Sequence, residues 1–276
     1  MAENHENDGD AEVTKRPRIE RNSPVELLQG KVALITGSAQ GLGAGCATAF
    51  IRQGARVACV DVNTEGVEKV AAGLVAEGGD AVALSCDVAE RRQVDAAIAA
   101  TIEQFGRLDI LVNAAMTQRL VPFDLSTEED LNDAYRSSVL GTYNFMMASF
   151  PHLQETAGKV VNFGSAAGTG GEARMATYAA SKEAVRGLSK AVAAEWGVHN
   201  INVNVVCPTG ITPAYEEWAA SVGPKGVAAA LKPSFIKRMG DPVDDIGGVV
   251  VFLASNLSDY MTGRTLFADG GRAYFR

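Results

Sequence analysis

Residues 31–45 read KVALITGSAQGLGAG, a short apolar run followed at once by a glycine-rich turn and the start of a helical pattern. This order predicts a β-strand, a tight turn and a helix. Gly37 would allow the tight turn, Gly41 would let the backbone approach a pyrophosphate, and Gly43 would let helix and strand pack closely. Free N–H groups at the start of the helix would favour an anion. The stretch therefore predicts a dinucleotide-binding turn, and glycines that serve only to reverse the chain are the alternative.

In the rest of the chain, predicted strands and helices alternate with short connections between them. Apolar runs predict the strands KVALI, RVACV, AVALSC, LDILV, KVVNF, INVNVV and TLFA. Helices are predicted over residues 42–53, 65–77, 91–105 and about 175–196, and a long one from near Thr127, with Ser126 or Thr127 as its cap. The early strands are almost wholly apolar, as expected when helices cover both faces of a parallel sheet. These patterns predict an α/β protein with a single-domain, Rossmann-type doubly wound fold, whose seven-stranded, mostly parallel sheet carries helices on both faces.

Two segments depart from this alternation. Residues 1–24 are polar and charged, which predicts a flexible tail ahead of a catalytic domain at residues 25–276. Residues 208–240 form a long segment with four prolines and four glycines. Segments of that length inside a compact domain usually serve as lids or binding elements, so a substrate lid is predicted there.

Composition and charge exclude several classes of partner. The 276 residues carry a formal net charge of −8, which argues against nucleic acid or an anionic membrane as the main partner. No apolar run is long enough to span a bilayer, and the first residues lack the apolar core of a signal peptide. Cys46, Cys59, Cys86 and Cys207 show no metal-ligand spacing, so buried reduced thiols and no metal site are expected. A cytoplasmic protein is expected.

The second predicted strand ends in Asp61, where this fold places a carboxylate that hydrogen-bonds the ribose hydroxyls of a dinucleotide. A carboxylate there would repel a 2′-phosphate, and the turn carries neutral Gln40 where a cation might have neutralised one. Arg56 begins the strand and lies too far back to do so easily. The sequence therefore favours NAD over NADP.

Residues 176–185 read ATYAASKEAV and place Tyr178 and Lys182 one helical turn apart. Taken alone, such a pair is usually the polar edge of an amphipathic helix. Together with the TGSAQGLG turn, however, YAASK resembles the short-chain dehydrogenase/reductase family. The resemblance covers residues 31–274 and extends to CDV at 86–88, DILVN at 109–113, INVNVVCP, FLAS and the closing DGG at 269–271. Ser165, thirteen residues before Tyr178, also fits this family.

The resemblance implies the chemistry. Tyr178 would be the general acid/base that takes the hydroxyl proton of an alcohol while hydride passes to a nicotinamide ring, and Ser165 would hold the substrate oxygen. A tyrosine active near neutral pH needs its pKa lowered by roughly three units, which corresponds to about 4 kcal/mol. Lys182 would supply much of this lowering, together with the positively charged nicotinamide, and would also reach the nicotinamide ribose.

The resemblance also implies the remaining cofactor contacts. Asp87 and Val88 would lie near the adenine, Asn113 and Ala115 would line the ribose side through their backbone, and residues 208–211 would follow the nicotinamide amide. The predicted cofactor site comprises Gly37, Gln40, Gly41, Leu42, Asp61, Asp87, Val88, Asn113, Ala115, Tyr178, Lys182, Pro208, Thr209 and Ile211.

Three positions depart from the family pattern. Ser138 stands where many members have an asparagine that anchors a water relaying protons to the lysine, and we expect it to keep a weaker version of that relay. Met116 replaces a glycine after the fourth strand, where it either borders an apolar substrate or fills core space. Thr209 interrupts the common Pro-Gly pair; it either donates a hydrogen bond near the nicotinamide or leaves a displaced glycine to serve the same turn.

The predicted function is an NAD-dependent oxidoreductase that interconverts a secondary alcohol and a ketone. Aromatic and thioether side chains at Tyr215, Trp218, Phe235 and Met239 favour an apolar or cyclic substrate. Reduction of a 3-oxoacyl thioester and an inactive dinucleotide-binding regulator are the alternatives. The family resemblance further implies a homodimer or homotetramer.

Overall fold

The computed structural model describes residues 26–273. The predicted tail at residues 1–24 and the two ends of the predicted catalytic domain, residue 25 and residues 274–276, lie outside the described residues. The described part of the chain forms one seven-stranded sheet in the order β3-β2-β1-β4-β5-β6-β7. Its strands are β1 (Val32–Thr36), β2 (Arg56–Asp61), β3 (Asp80–Ser85), β4 (Ile110–Asn113), β5 (Lys159–Phe163), β6 (Asn202–Pro208) and β7 (Thr265–Ala268).

Every neighbouring pair in this sheet is parallel, so the sheet is wholly rather than mostly parallel. Each predicted strand is present, and no boundary is shifted by more than two residues. The helices are α1 (Gly41–Ile51), α2 (Thr64–Ala76), α3 (Arg91–Phe105), α4 (Glu128–Ala134), α5 (Gly141–Thr156), α6 (Ala166–Gly170), α7 (Ala176–Trp196), α8 (Pro213–Ala230) and α9 (Gly248–Ala254).

The alternating side chains of the central strands point to two separate cores. Ala33 and Ile35 of β1 pack with α1, α2 and α9 on one face of the sheet. Val32 and Leu34 of the same strand pack with α3, α5 and α7 on the other face. Helices on both faces shield the central strands from water, which explains why β1 and most of β2 are apolar and buried. The doubly wound fold predicted from the sequence is confirmed.

The helix predicted from near Thr127 is interrupted. Of the two predicted caps, Ser126 and Thr127, it is Thr127 that caps α4, and it forms a capping box with Asp130. The chain then passes through a π-helical turn, Tyr135–Leu140, before it continues as α5. Such turns insert one extra residue into a helix and often mark functional sites.

Residues 208–240 contain a helix that the sequence pattern did not predict. α8 bends at Gly223, whose φ of +66° is non-helical, and Pro224 follows it. The two ends of the segment meet, because Gly210 and Gly240 form a parallel bridge. The segment therefore leaves the sheet and returns to the same place, which is compatible with a lid. Its role as a lid stays a prediction.

The four cysteines are free and buried. Burial raises the pKa of each thiol, to about 12 for Cys46 and Cys59 and to about 11 for Cys86 and Cys207. The prediction of buried, reduced thiols is confirmed. Within residues 26–273, no helix combines the length and apolarity that a bilayer span requires.

Candidate active site

The sheet order changes direction between β1 and β4, because the chain runs from β1 towards β2 and β3 on one side and from β4 towards β7 on the other. Ligands of doubly wound folds bind in the crevice beyond the carboxyl ends of the strands at this point. Apart from Ser138, the residues predicted for the site lie at that edge: they end or follow strands of the sheet, or lie in the first two turns of α1 and α7.

The glycine-rich turn is built for close backbone approach. Gly37 adopts φ +70°, and a Cβ atom there would lie 2.8 Å from the backbone of Ala115. A Cβ at Gly43 would lie 2.1 Å from the carbonyl oxygen of Gly37. No side chain in the described part of the chain caps the first turn of α1, where Gln40 is the N-cap residue. The free N–H groups of this turn therefore face the crevice without a competing protein acceptor, which suits a pyrophosphate.

Asp61 joins the end of β2 to the glycine-rich turn. Its Oδ2 accepts a hydrogen bond of 3.0 Å from the Ala39 backbone N–H, and its Oδ1 accepts one of 3.0 Å from Asn63. Each carboxylate oxygen has a further lone pair for a ligand hydroxyl. The carboxylate is thus positioned by the protein at the place predicted for a ribose.

The turn after β3 holds the two residues predicted to lie near an adenine. Asp87 Oδ1 accepts from the Ala89 N–H at 2.9 Å, and the Asn144 side chain of α5 donates to the Val88 carbonyl at 3.0 Å. A Cβ at Gly141 would lie 2.5 Å from the Val88 side chain, so this glycine lets α5 pack against the turn.

The segment after β4 is held by both backbone and side chains. Thr36 Oγ1 accepts from the N–H groups of Ala114 and Ala115 at 3.1 and 3.2 Å. The Asn113 side chain points into the core, where its Nδ2 donates to Asn162 at 2.8 Å. Asn162 in turn donates to Ser189 of α7 at 2.9 Å. This buried amide chain, which the sequence motifs did not reveal, ties β4 and β5 to the helix that carries Tyr178.

Three of the four predicted catalytic residues, Ser165, Tyr178 and Lys182, lie near the end of β5. Ser165 is the N-cap of α6 and its Oγ accepts from the Ala167 N–H at 3.1 Å. Lys182 Nζ lies 5.7 Å from the centre of the Tyr178 ring and donates to the Phe163 carbonyl at 3.0 Å. The carbonyl of the last residue of β5 therefore fixes the lysine beneath the tyrosine.

Burial dominates the ionisation of this group of residues. It raises the pKa of Tyr178 above its usual value, and the nearby Ser165 hydroxyl lowers it only in part. Burial also lowers the pKa of Lys182 to about 8. Burial thus opposes the charged form of each side chain, and the lowering of the Tyr178 pKa by Lys182 and a bound nicotinamide stays a prediction.

Ser138 lies in the π-helical turn, which packs against α7. The residue is buried, and its Oγ has no hydrogen-bond partner among residues 26–273. A buried hydroxyl without a partner is unusual in proteins and is often satisfied by a water molecule.

Residues 208–211 leave the end of β6 and enter the lid segment. Thr209 N–H donates to the Ala268 carbonyl at 2.9 Å, and Ile211 N–H donates to the Gly240 carbonyl at 2.9 Å. A Cβ at Gly210 would lie 2.8 Å from the Leu42 side chain. Leu42 therefore packs beneath this segment, which brings the start of α1 and the base of the lid into one wall of the crevice.

Glu172 is a charged residue of the site that the sequence motifs did not indicate. It lies between α6 and α7, and its negative charge adds to the raised pKa of Tyr178. Its ion-pair partner, Arg272, is 100 residues away along the chain, so no local spacing could have identified the pair.

Comparison with known proteins is consistent with this geometry. A family model described as enoyl-(acyl carrier protein) reductase matches residues 37–273. A D-threitol dehydrogenase of Mycolicibacterium smegmatis is 39% identical over 88% of this chain and 93% of its own length. A 12α-hydroxysteroid dehydrogenase of Clostridium sp. is 37% identical over 89% of this chain and 97% of its own length.

Among solved structures, a crystal structure assigned as a short-chain alcohol dehydrogenase of Sinorhizobium meliloti 1021 matches with a TM-score of 0.80 and 32% identity. The match covers 90% of this chain and 98% of that chain. The glycine cradle, Asp61 and the uncapped start of α1 fit the nicotinamide dinucleotide that this family binds. The chain belongs to the short-chain dehydrogenase/reductase family and is an oxidoreductase of the alcohol dehydrogenase type.

Proposed function

We propose that this protein is an NAD-dependent dehydrogenase that interconverts a secondary alcohol and a ketone, with Tyr178 as general acid/base. The observation that carries this proposal is the grouping of Ser165, Tyr178 and Lys182 beside the glycine-rich turn, at the edge of the sheet where this fold binds ligands. Bound NAD supplies the hydride acceptor.

The protein's own residues perform the proton transfer. Tyr178 in its phenolate form takes the proton of the alcohol hydroxyl, and Ser165 donates a hydrogen bond to the same oxygen. In the reducing direction Tyr178 returns the proton to the oxygen of the forming alcohol. Because burial opposes the phenolate, positive charge from Lys182 and from the bound cofactor would have to stabilise it.

Lys182 is a positioning and electrostatic residue in this proposal. The Phe163 carbonyl holds its ammonium group, and two further N–H donors remain for a ribose hydroxyl and a water molecule. Ser138, buried in the π-helical turn against α7, is proposed to hold that water in place of the usual asparagine.

The choice of NAD over NADP rests on Asp61 and Gln40. The Asp61 carboxylate is fixed by two backbone N–H groups, so it cannot easily turn away from a 2′-phosphate. We expect the protein to bind NADH more tightly than NADPH, and an Asp61→Ser variant to reduce this preference. Fluorescence titration with both cofactors measures this. Tighter binding of NADPH by the unchanged protein would contradict the proposal.

The alternatives have less support. The match to a family model described as enoyl-(acyl carrier protein) reductase is compatible with a thioester substrate. The two relatives described above, however, are named as dehydrogenases of D-threitol and of a 12α-hydroxysteroid, both of which are alcohols. A regulator without catalysis conflicts with the intact Ser165, Tyr178 and Lys182. Cofactor binding without turnover of any alcohol, ketone or thioester would favour it.

We also propose that the protein forms a homodimer or homotetramer in the cytoplasm. Large apolar side chains are exposed along α4, the π-helical turn and α5, at Leu131, Leu140, Tyr143 and Met147, and a second copy would remove them from water. Four free thiols suit a reducing compartment. Light scattering after size-exclusion chromatography tests the assembly, and a monomer at micromolar concentration would contradict it; cell fractionation tests the location.

A further inference from the structure

Arg174, in the loop between α6 and α7, has a left-handed backbone conformation with φ +70°. Ala157 and Asn200 are the other non-glycine residues of the described chain with positive φ, and both are C-cap residues, where this conformation is common. Arg174 caps no helix, since α6 already ends at Gly171. The conformation costs free energy in any residue with a Cβ atom, so surrounding contacts must hold Arg174 in it.

These contacts join Arg174 to the loop after β4, residues 114–122. The Arg174 carbonyl oxygen accepts a hydrogen bond of 3.1 Å from the Val121 N–H. Its Nη2 donates one of 3.2 Å to the Leu120 carbonyl. The main chain and the side chain of one residue therefore bind two adjacent residues of the other loop, which fixes both the separation and the orientation of the two loops.

The loop after β4 is itself held by the helices beside it. Thr117 N–H donates to Ser137 Oγ of the π-helical turn at 3.0 Å. Arg119 Nη1 lies 3.3 Å from Oδ2 of Asp130, the α4 residue whose carboxylate also closes the capping box. The loop after β4 is therefore a fixed support, to which Arg174 attaches the loop that leads into α7.

The first turn of α7 depends on such a support. Its N-cap residue, Met175, makes no side-chain cap, and the first fully buried residue of the helix is Ser181. Helix ends without caps tend to fray. Tyr178 lies in this first turn, four residues after Arg174. The two hydrogen bonds of Arg174 therefore anchor the chain directly ahead of the turn that carries the proposed acid/base.

We propose that Arg174 is a positioning residue, which fixes the first turn of α7 and with it the distance from the Tyr178 hydroxyl to the substrate oxygen. This inference rests on the proposed function. Arg174 transfers no proton itself and acts through Tyr178. Proton transfer requires the two oxygens to lie at hydrogen-bond distance, so a looser turn should lower kcat. NAD affinity should change little, because most of the predicted cofactor contacts lie on other segments.

The test removes the guanidinium of Arg174 and measures oxidation by NAD of D-threitol, 2-butanol or a 12α-hydroxysteroid, whichever the wild type oxidises fastest. For Arg174→Met we expect kcat to fall about tenfold, while KM for NAD and the affinity for NADH change less than about twofold. Arg174→Lys should recover part of kcat, because an ammonium group can still donate to the Leu120 carbonyl. Arg264→Met is the matched control at an exposed arginine of the opposite sheet edge, and it should change none of these quantities.

Hydrogen–deuterium exchange gives a second measurement that needs no substrate. In the unchanged protein the Ala179 N–H donates to the Met175 carbonyl at 2.7 Å, and the Val121 N–H donates to the Arg174 carbonyl at 3.1 Å. Both amides should exchange at least about threefold faster in Arg174→Met, because the turn and the loop open more often. In Arg264→Met both should exchange at the wild-type rate.

Unchanged exchange in Arg174→Met would overturn the anchor, and faster exchange with unchanged kcat would overturn its role in catalysis. A loss of kcat that Arg174→Lys does not reduce, or a loss of NADH affinity as large as the loss of kcat, would also overturn the positioning role. Failure of the wild-type protein to oxidise any secondary alcohol with NAD or NADP would overturn the proposed function, and this inference with it, whatever the exchange rates.

Discussion

Single residues of the site are governed by burial. Tyr178 and Lys182 were predicted to approach each other on one face of a helix, and the structure places them so. Their ionisation could not be read from spacing, because it depends on how completely β5, α6 and α7 exclude water around them. Lys182 is 3% exposed, and its pKa falls to about 8 instead of remaining near 10.5. Burial of the charged Lys182 side chain therefore lowers the stability of the folded protein.

This cost predicts a pH-dependent gain in stability for Lys182→Met. The pKa of Lys182 is about 8 in the folded protein and 10.5 in the unfolded chain. Between these two pH values the folded protein binds fewer protons than the unfolded chain, so the free energy of unfolding of the wild type increases as the pH rises through this range. At pH 7 the variant should be more stable than the wild type by about 1–3 kcal/mol, and the difference should shrink as the pH rises from 8 to 10.5.

Urea unfolding at pH 7 and at pH 10 measures this difference. Lys190→Met, at an exposed position of the same helix, is the matched control and should show little change at either pH. A Lys182→Met variant that is less stable than the wild type at pH 7, or whose difference does not change with pH, would contradict the prediction.

Residues joined by local spacing were predicted, and residues joined only by the fold were not. Ser165, Tyr178 and Lys182 belong to one short stretch of chain, and their motif is visible in the sequence. Glu172 and Arg272 lie 100 residues apart and meet only because β7 returns to the edge of the site. No local sequence pattern predicts a contact between residues so far apart along the chain.

Secondary-structure elements show the same limit. Hydrophobic runs predicted all seven strands, and the apolar pattern is plainest in the central strands, which are buried on both faces. The helix α8 escaped prediction because Gly223 and Pro224 interrupt its pattern, and both residues normally end a helix. The π-helical turn at 135–140 also leaves no periodicity of its own, since it only inserts a residue into a longer helix.

For Ser138→Ala, in the π-helical turn, we expect a loss of activity without a loss of stability. Because the buried hydroxyl has no partner in the described protein, its removal should leave the melting temperature unchanged or slightly raised. If it holds a relay water, kcat should fall several-fold and the pH profile of alcohol oxidation should shift. Steady-state kinetics from pH 6 to 10 and thermal unfolding measure the two effects. Unchanged rate and pH profile would show that the serine plays no part in proton transfer.

The whole molecule is a scaffold that brings the ends of distant strands to one edge. The sequence order of alternating strands and helices is enough to predict this architecture, because right-handed crossovers leave few alternatives. The place of the crevice follows from the sheet order, in which β1 and β4 are neighbours. The lid, the assembly and the preferred substrate depend on long loops and exposed surfaces, where sequence patterns are weakest.

The central claim is that Tyr178 performs proton transfer in the oxidation of a secondary alcohol with NAD. The most direct test follows NADH absorbance with the wild-type protein and with Tyr178→Phe on a panel of secondary alcohols and diols, alongside a titration of NADH binding. We expect wild-type turnover of some alcohols, a loss of about 10²–10⁴-fold or more in the variant, and NADH binding that stays close to wild type. Substantial turnover by Tyr178→Phe, with NADH bound normally, would contradict the account.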